Sequence, residues 1–261
     1  MQIKVNQLGV GYEKVEVIKN LNLELQKHKV TSIIGPNGCG KSTFLQTIAR
    51  ILTPNKGQIL LDGEDVHKKD TTELAKKLGL LPQTPKAPNQ LTVLELVSYG
   101  RSPHQKGFGK LNSEDYTIIN NAMKLTATED YYDRRISDLS GGQRQRVWLA
   151  TALAQNTEIL LLDEPTTYLD VAHQLEIMEI LDHLNKEKKT TIIMVLHDIN
   201  HASRFSDDII LLRNGHLIGQ GTPAEMITQK NLKEVFGIQG EFITDEEHNY
   251  PICYKYNLIK N

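Results

Sequence analysis

Eight consecutive residues, Gly35-Pro36-Asn37-Gly38-Cys39-Gly40-Lys41-Ser42, satisfy the pattern G-x-x-x-x-G-K-[ST] throughout. Glycines at these places let backbone N–H groups turn inward on phosphate oxygens, and a following helix would present its positive end to the same anion. Lys41 is then placed to reach the β and γ phosphates, and the Ser42 hydroxyl to coordinate Mg²⁺. Further along, the apolar run ending at Leu162 meets Asp163 and Glu164. Asp163 is the natural second Mg²⁺ contact, and Glu164 is suited to polarise an attacking water as general base. A second loop, Leu139-Ser140-Gly141-Gly142-Gln143, also suits phosphate, because a helix start preceded by glycines admits a close-approaching anion. The same Ser140 serves equally as an ordinary N-cap. One nucleotide needs one cradle, so two cradles imply a nucleotide clamped between two copies of the chain.

These residues need a frame. Ile3 and Val5, then Leu21, Leu23 and Leu25, alternate with polar neighbours and predict antiparallel strands with one wet face. Val30–Ile34 reads as a short buried strand entering the glycine loop, and residues 42–49 as the helix after it. Residues 58–61 form a strand turning at Asp62-Gly63, and residues 78–83 another with Pro82 and Gln83 at its exit. From there to about residue 155, Pro85, Pro88, Gly100, Pro103, Gly107 and Gly109 punctuate short amphipathic helices, including residues 92–99 and Ser113–Leu125. This stretch predicts a helical insertion between two parts of a parallel sheet, ending in a helix over residues 143–154. The sheet resumes at residues 159–162 and 191–196. A hairpin turns at Asn214-Gly215, and short helices and a last strand pair around residues 241–244 and 252–256 follow. Three apolar strands thus end in Gly35, Asp163 and His197, and carboxyl ends of parallel strands face a ligand crevice, so all three are expected to converge.

Composition narrows the class. The 261 residues suit one large α/β domain or a domain with a lobed insertion, and the net charge of −2 gives no bulk attraction to nucleic acid or an anionic membrane. Two cysteines, one inside the phosphate loop, make no disulfide framework and suit a reducing compartment. The N-terminus lacks a basic region followed by an apolar core, and no apolar run approaches the roughly 20 residues needed to span a bilayer. No internal repeat or low-complexity tract is visible.

Taken in order, the phosphate loop, Gln83, Leu139 to Gln143, Asp163-Glu164-Pro165, Leu169-Asp170 and His197 resemble the ATP-binding subunit of ABC transporters over nearly the whole chain. The resemblance implies an α/β P-loop NTPase of the ABC-ATPase fold, with a mixed-sheet core, an antiparallel β lobe and a helical insertion lobe. Its implied boundaries are residues 1–83 and 156–221 for the RecA-like core with the β lobe, 84–155 for the helical lobe, and 222–261 for a C-terminal extension. It implies that ATP contacts Tyr12, stacking on adenine, together with Gly35, Pro36, Asn37, Gly38, Cys39, Gly40, Lys41, Ser42 and Thr43. Ser140, Gly141, Gly142 and Gln143 of one copy would close over the γ-phosphate held by the other, with Asp170 at that interface. Mg²⁺ would be held by Ser42, Gln83 and Asp163, while Glu164, His197 and Gln83 would act on the attacking water and γ-phosphate.

Three runs resemble the iron-siderophore branch in particular: Glu95-Leu96-Val97-Ser98-Tyr99-Gly100-Arg101-Ser102-Pro103-His104, Thr166-Thr167-Tyr168-Leu169-Asp170 and His197-Asp198-Ile199-Asn200-His201-Ala202. Haem and vitamin B12 importers are close relatives. Thr167 departs from the Ser that many members carry there. The implied protein is a peripheral ATPase at the cytoplasmic face of the cell membrane, working as a homodimer with separate permease subunits. An extracytoplasmic binding protein would deliver substrate indirectly, and no nucleic acid is involved. The segment from Gln83 to about His104 would form the groove for a cytoplasmic helix of the permease. The alternatives are a haem or vitamin B12 importer, a soluble ABC ATPase acting as a mechanical or assembly factor, and a nucleotide-binding regulator without turnover. A single ATPase unit without heptads or a basic patch weighs against the soluble factor, and Glu164 with His197 against the regulator.

Overall fold

The computed structural model describes residues 2–13, 15–105, 110–167 and 169–259, so Gly107, Gly109 and Tyr168 of the sequence reading lie outside the described residues. The chain divides into two units, residues 1–69 with 191–261 and residues 70–190.

The first unit begins with the alternating segments. Ile3–Tyr12 (β1) pairs antiparallel with Val15–Leu25 (β2), and the register Ile3↔Leu25 and Val5↔Leu23 places both sets of apolar residues on one buried face. Val30–Ile34 (β3) is buried throughout and leads into Lys41–Ile48 (α1). Lys56–Leu61 (β4) and Glu64–Asp65 (β5) complete a sheet of order β2-β1-β4-β5.

The second unit contains Thr71–Ala75 (α2), Leu78–Leu81 (β6), Val93–Ser98 (α3), Ser113–Leu125 (α4), Gly141–Ala154 (α5), Ile159–Asp163 (β7) and Val171–Lys188 (α6). Three of its helices start in the same way. Thr92, Asn112 and Ser140 each cap the N–H three residues on, while Glu95, Asp115 and Gln143 reach back to the cap. Behind these starts, Val93, Val97, Ile119, Met123, Leu139, Val147, Ala150 and Ala154 pack into one core. β6 and β7 run parallel, with Leu81 opposite Leu162.

The first unit resumes with Thr191–Val195 (β8), Ile199–Phe205 (α7), Asp208–Arg213 (β9), His216–Gly221 (β10), Pro223–Met226 (α8), Gln229–Phe236 (α9), Ile238–Thr244 (β11) and Pro251–Leu258 (β12). β3 is parallel to both β8 and β9, and β10 is antiparallel to β9, which makes the sheet mixed. Two elements differ from the sequence reading. α5 begins at Gly141 rather than Gln143, because the Ser140 cap draws both glycines into the first turn. The eighteen-residue α6 is not foreseen by that reading, since none of its first six residues is buried and its buried Ile177, Met178, Leu181 and Leu184 lie further on.

Candidate functional site

In the first unit, β3 delivers the chain to the phosphate loop and β8 delivers it to His197. Ile33 pairs with Val195, and Leu196 N donates to Ile33 O at 3.2 Å, so the two strand exits are neighbours. The loop is braced from outside by the β9–β10 turn, where Gly215 N donates to Cys39 O at 3.0 Å. Gly40 has φ +107°, and a Cβ there would stand 2.5 Å from Ile18 Cδ1 of β2, so the antiparallel sheet packs against the loop's last glycine. Gly40 also supplies no side-chain cap to α1. The donors at this helix start are therefore those that an anion would use.

Lys41 is only 5% exposed, and its Nζ donates to Gly35 O at 2.9 Å and Pro36 O at 3.1 Å. The loop's own carbonyls thus hold an ammonium inside the cradle. At Gly38, with φ +75°, a Cβ would meet no atom within 4 Å, so the cradle is open on that side. Amides, an enclosed cation and an open face fit a polyphosphate. Cys39 is buried beneath; burial pushes its thiol pKa up, against the opposing charge of Lys41. Thr43 is buried, Ser42 is half-buried, and Pro36 and Asn37 lie at the outer side of the loop. His197 is exposed, and so is Tyr12 at the end of β1.

In the second unit, β7 ends in Asp163, 2% exposed, and Glu164, 8% exposed. Glu164 has φ +54°, a left-handed conformation that costs a non-glycine residue about 1–3 kcal/mol. Gln83, just beyond β6, donates from Nε2 to Glu164 Oε2 at 2.6 Å, and Thr167 Oγ1 donates to the same oxygen at 3.1 Å. Gln145 of α5 donates from Nε2 to Pro165 O at 2.9 Å. Gln83 and Thr167 therefore both hold one oxygen of the carboxylate, while Gln145 holds the backbone of the next residue. The hard oxygen donors of Ser42 and Asp163 are of the kind Mg²⁺ prefers.

The second loop is complete as a helix start. Gln143 N donates to Ser140 Oγ at 3.3 Å, and Ser140 N to Gln143 Oε1 at 3.0 Å. Gln143 Nε2 donates to Tyr131 OH at 3.1 Å, and Arg144 Nη2 to Leu139 O at 3.1 Å. Gly141 faces open space, whereas a Cβ on Gly142 would meet the His173 ring at 3.4 Å. That ring is held by Asp170, which caps α6 through His173 N at 3.0 Å and engages His173 Nδ1 at 2.8 Å. The His173 N–H bonds, backbone first, hold the Asp170 carboxyl below its usual range.

Within the first unit the phosphate loop and His197 thus share an edge. Within the second, Gln83 meets Glu164, and Ser140-Gly141-Gly142-Gln143 lies beside the Asp170 cap. Sequence reasoning named neither Gln145 nor His173, and gave Thr167 no part in holding Glu164. The available signal was the Asp-x-x-His capping spacing for His173; the Gln145 contact has none.

Beside Gln83 lies a groove of about 360 Å³ within the second unit, lined by Pro82, Pro85, Tyr99, Pro103 and Trp148 among others. Tyr99 stands 55% exposed at its rim.

Comparison with known proteins follows the same lines. The sequence profile of a family described as ABC transporter matches residues 18–167. The iron(3+)-hydroxamate import ATP-binding protein FhuC of Bacillus subtilis is 55% identical over 259 residues, 99% of this chain and 96% of that protein. The achromobactin transport ATP-binding protein CbrD of Dickeya dadantii is 44% identical, again over 99% of this chain and 96% of its own length. Among solved structures, an ATP-binding cassette in a dimeric post-hydrolysis state with ADP and Pi superposes with a TM-score of 0.75 at 33% identity. That match covers 84% of this chain and 98% of the cassette.

Proposed function

The chain belongs to the ABC transporter family as an ATP-binding, ATP-hydrolysing subunit, and on that premise we propose that it drives an importer of iron-siderophore complexes. The observation that carries the substrate class is the 55% identity, along almost the entire chain, to an iron(3+)-hydroxamate import ATPase.

In this reading the nucleotide-binding core with its β lobe comprises residues 1–83 and 156–221, the helical lobe 84–155, and the C-terminal extension 222–261. Tyr12 stacks on adenine, while the amides from Gly35 to Thr43 and the Lys41 ammonium hold the phosphates. Mg²⁺, held by Ser42, Asp163 and Gln83, would neutralise phosphate charge when bound. Glu164 accepts the proton of the attacking water, its carboxylate oriented by Gln83 and Thr167. His197 hydrogen-bonds the γ-phosphate. Little covalent chemistry falls to the protein, so positioning and charge stabilisation carry the rate.

The two loops act in different copies. Ser140 and Gly142 of one chain complete the site around Lys41 of the other, giving a head-to-tail homodimer with two enclosed ATP molecules and Asp170 at the interface. A dimeric relative bound to ADP and Pi supports this arrangement. The groove beside Gln83 takes a cytoplasmic helix of a separate permease, so the chain works peripherally at the inner face of the membrane. Among the described residues, no helix is long and apolar enough to cross a membrane.

Glu164→Gln tests the mechanism. It removes the base but keeps an amide oxygen for Gln83 and Thr167, so ATP binding should persist while hydrolysis falls by about 10²–10⁴-fold. With ATP and Mg²⁺ the variant should accumulate as a dimer by light scattering. If it stays monomeric even with its permease present, the clamped-nucleotide mechanism is wrong. Growth of a deletion strain on defined iron sources tests the substrate class: normal growth on every ferric siderophore would refute it.

A further inference from the structure

The helix that follows His197 is held by the C-terminal hairpin. α7 is capped by Asp198, whose Oδ1 accepts from His201 N at 2.7 Å, so His197 is the one residue between Leu196, bonded to Ile33 O, and the cap, and its direction depends on α7 as well as on β8. A seven-residue helix does not hold itself; isolated helices shorter than about 12–15 residues are marginal in water. Tertiary contacts must fix it.

Two of those contacts are specific. Asn200 and Ser203, three residues apart and hence on one face of α7, both bind the main chain of β12. Asn200 Nδ2 donates to Cys253 O at 3.0 Å, and Cys253 N donates to Asn200 Oδ1 at 2.8 Å. Ser203 Oγ donates to Pro251 O at 2.6 Å. The Asn200 amide therefore gives Cys253 the pair of hydrogen bonds that a neighbouring strand residue would give. The hairpin is anchored in turn: β12 pairs with β11 along its length, and Gly240 N donates to Gln229 Oε1 of α9 at 2.9 Å. Neither the phosphate chemistry nor the groove uses any of these contacts.

We propose that the β11–β12 hairpin is a positioning element for ATP hydrolysis, in which Asn200 and Ser203 fix α7 and α7 sets the direction of His197. Asn200 is a positioning residue and touches no nucleotide. The inference rests on the γ-phosphate role given to His197 above. Its force comes from the sensitivity of turnover to geometry, since a displacement of about 1 Å costs up to about a hundredfold in rate.

The test compares the full-length chain with its Asn200→Ala, Asn200→Asp, His197→Ala and Tyr256→Ala variants. Steady-state hydrolysis is measured against ATP concentration, with binding of a non-hydrolysable ATP analogue and thermal melting. Asn200→Ala should lower kcat about tenfold, with KM and analogue affinity within about twofold. Asn200→Asp keeps the acceptor for Cys253 N and should fall between; Tyr256→Ala, on the exposed part of the same strand, should match the parent. A lowered melting temperature with unchanged kcat per folded molecule would make Asn200 merely structural and overturn the proposal, as would a loss of analogue affinity as large as the loss of kcat. If Asn200→Ala fails to fold, parental kcat in a folded Asn200→Asp protein is equally decisive against it. His197→Ala separates the two layers. If it lowers kcat while both Asn200 variants do not, the positioning claim fails and the role of His197 stands; if it leaves kcat intact, that role fails and the positioning claim with it.

Discussion

Replacing Arg101 by Met should destabilise the second unit by about 3–5 kcal/mol, the usual cost of removing one partner of a buried ion pair. Arg101 and Asp115 are 6% and 7% exposed in their side chains, and Arg101 Nε donates to Asp115 Oδ1 at 2.8 Å. The guanidinium also closes the end of α5, with Nη1 donating to Ala154 O at 2.9 Å. Methionine fills much of the volume but leaves the carboxylate without its cation. Burial alone would raise the Asp115 pKa; the Asn112 amide and the Arg101 guanidinium outweigh it and hold the carboxyl below the ordinary aspartate value of 3.8. A depressed folded pKa contributes stability that is complete above that ordinary value and is lost as pH falls through the folded one. The loss on substitution should therefore be full at pH 7 and shrink in acid. Trp148, the single tryptophan, lies on α5 against the same core, so its fluorescence in urea reports this unit. With an m-value of about 3 kcal/mol/M, the midpoint should fall by about 1–1.7 M. Arg101→Met with Asp115→Leu should recover part of it, because an apolar pair avoids the desolvation of both charges while Asn112 N and Ala154 O lose these partners. A single-variant loss within about 0.5 kcal/mol, the range of surface substitutions, would refute the buried-pair reasoning.

Lys41→Ala removes the enclosed ammonium; with charge-assisted hydrogen bonds worth about 1.5–3 kcal/mol, affinity for a fluorescent ATP analogue should fall about ten- to a hundredfold. Gly40→Ala imposes φ +107° on a side chain that also meets Ile18, so a cost of about 1–3 kcal/mol and weakened nucleotide binding are expected by melting and titration. Ser140→Ala should lose about 1 kcal/mol of unit stability through its cap, whereas Ser140→Gly should lose only a few tenths. If hydrolysis falls alike in both, Ser140 acts on the phosphate as well as on its own helix.

Local rules carried the sequence far. The alternation of Ile3 and Val5 identifies a strand because exposure repeats along it, and the short run Val30–Ile34 reads as a strand buried throughout. The glycine loop is legible because its chemistry requires residues adjacent in the chain. What the sequence hides are contacts between distant segments: Gln145 with Pro165, twenty residues apart, Arg101 with Asp115, fourteen apart, and Asn200 with Cys253, fifty-three apart. A glutamine or asparagine that bonds to main chain leaves no pattern in its neighbours, because any residue offers the same amide and carbonyl. α6 is hidden for another reason: its N-terminal turns carry no buried stripe, and packing further along fixes the helix.

The self-sufficiency of the second loop bears on how the proposed dimer opens. Ser140 and Gln143 already satisfy each other, so the loop needs no phosphate to keep its shape. What it can offer the other copy is the backbone from Ser140 to Gly142, open at Gly141 where a Cβ would meet no atom within 4 Å, and the positive end of α5. An anion at a helix N-terminus gains about 0.3–1 kcal/mol, rising to about 2 in partly buried geometry. Such a contact does not hold two chains together alone. Two enclosed nucleotides double it, and each brings further contacts through its γ-phosphate, so closure follows ATP occupancy at both sites. Loss of either γ-phosphate then removes a large fraction of a small total. A loop that bound phosphate strongly, or that collapsed without it, would leave the dimer either shut or unformed; one complete in itself and only weakly attractive lets it cycle.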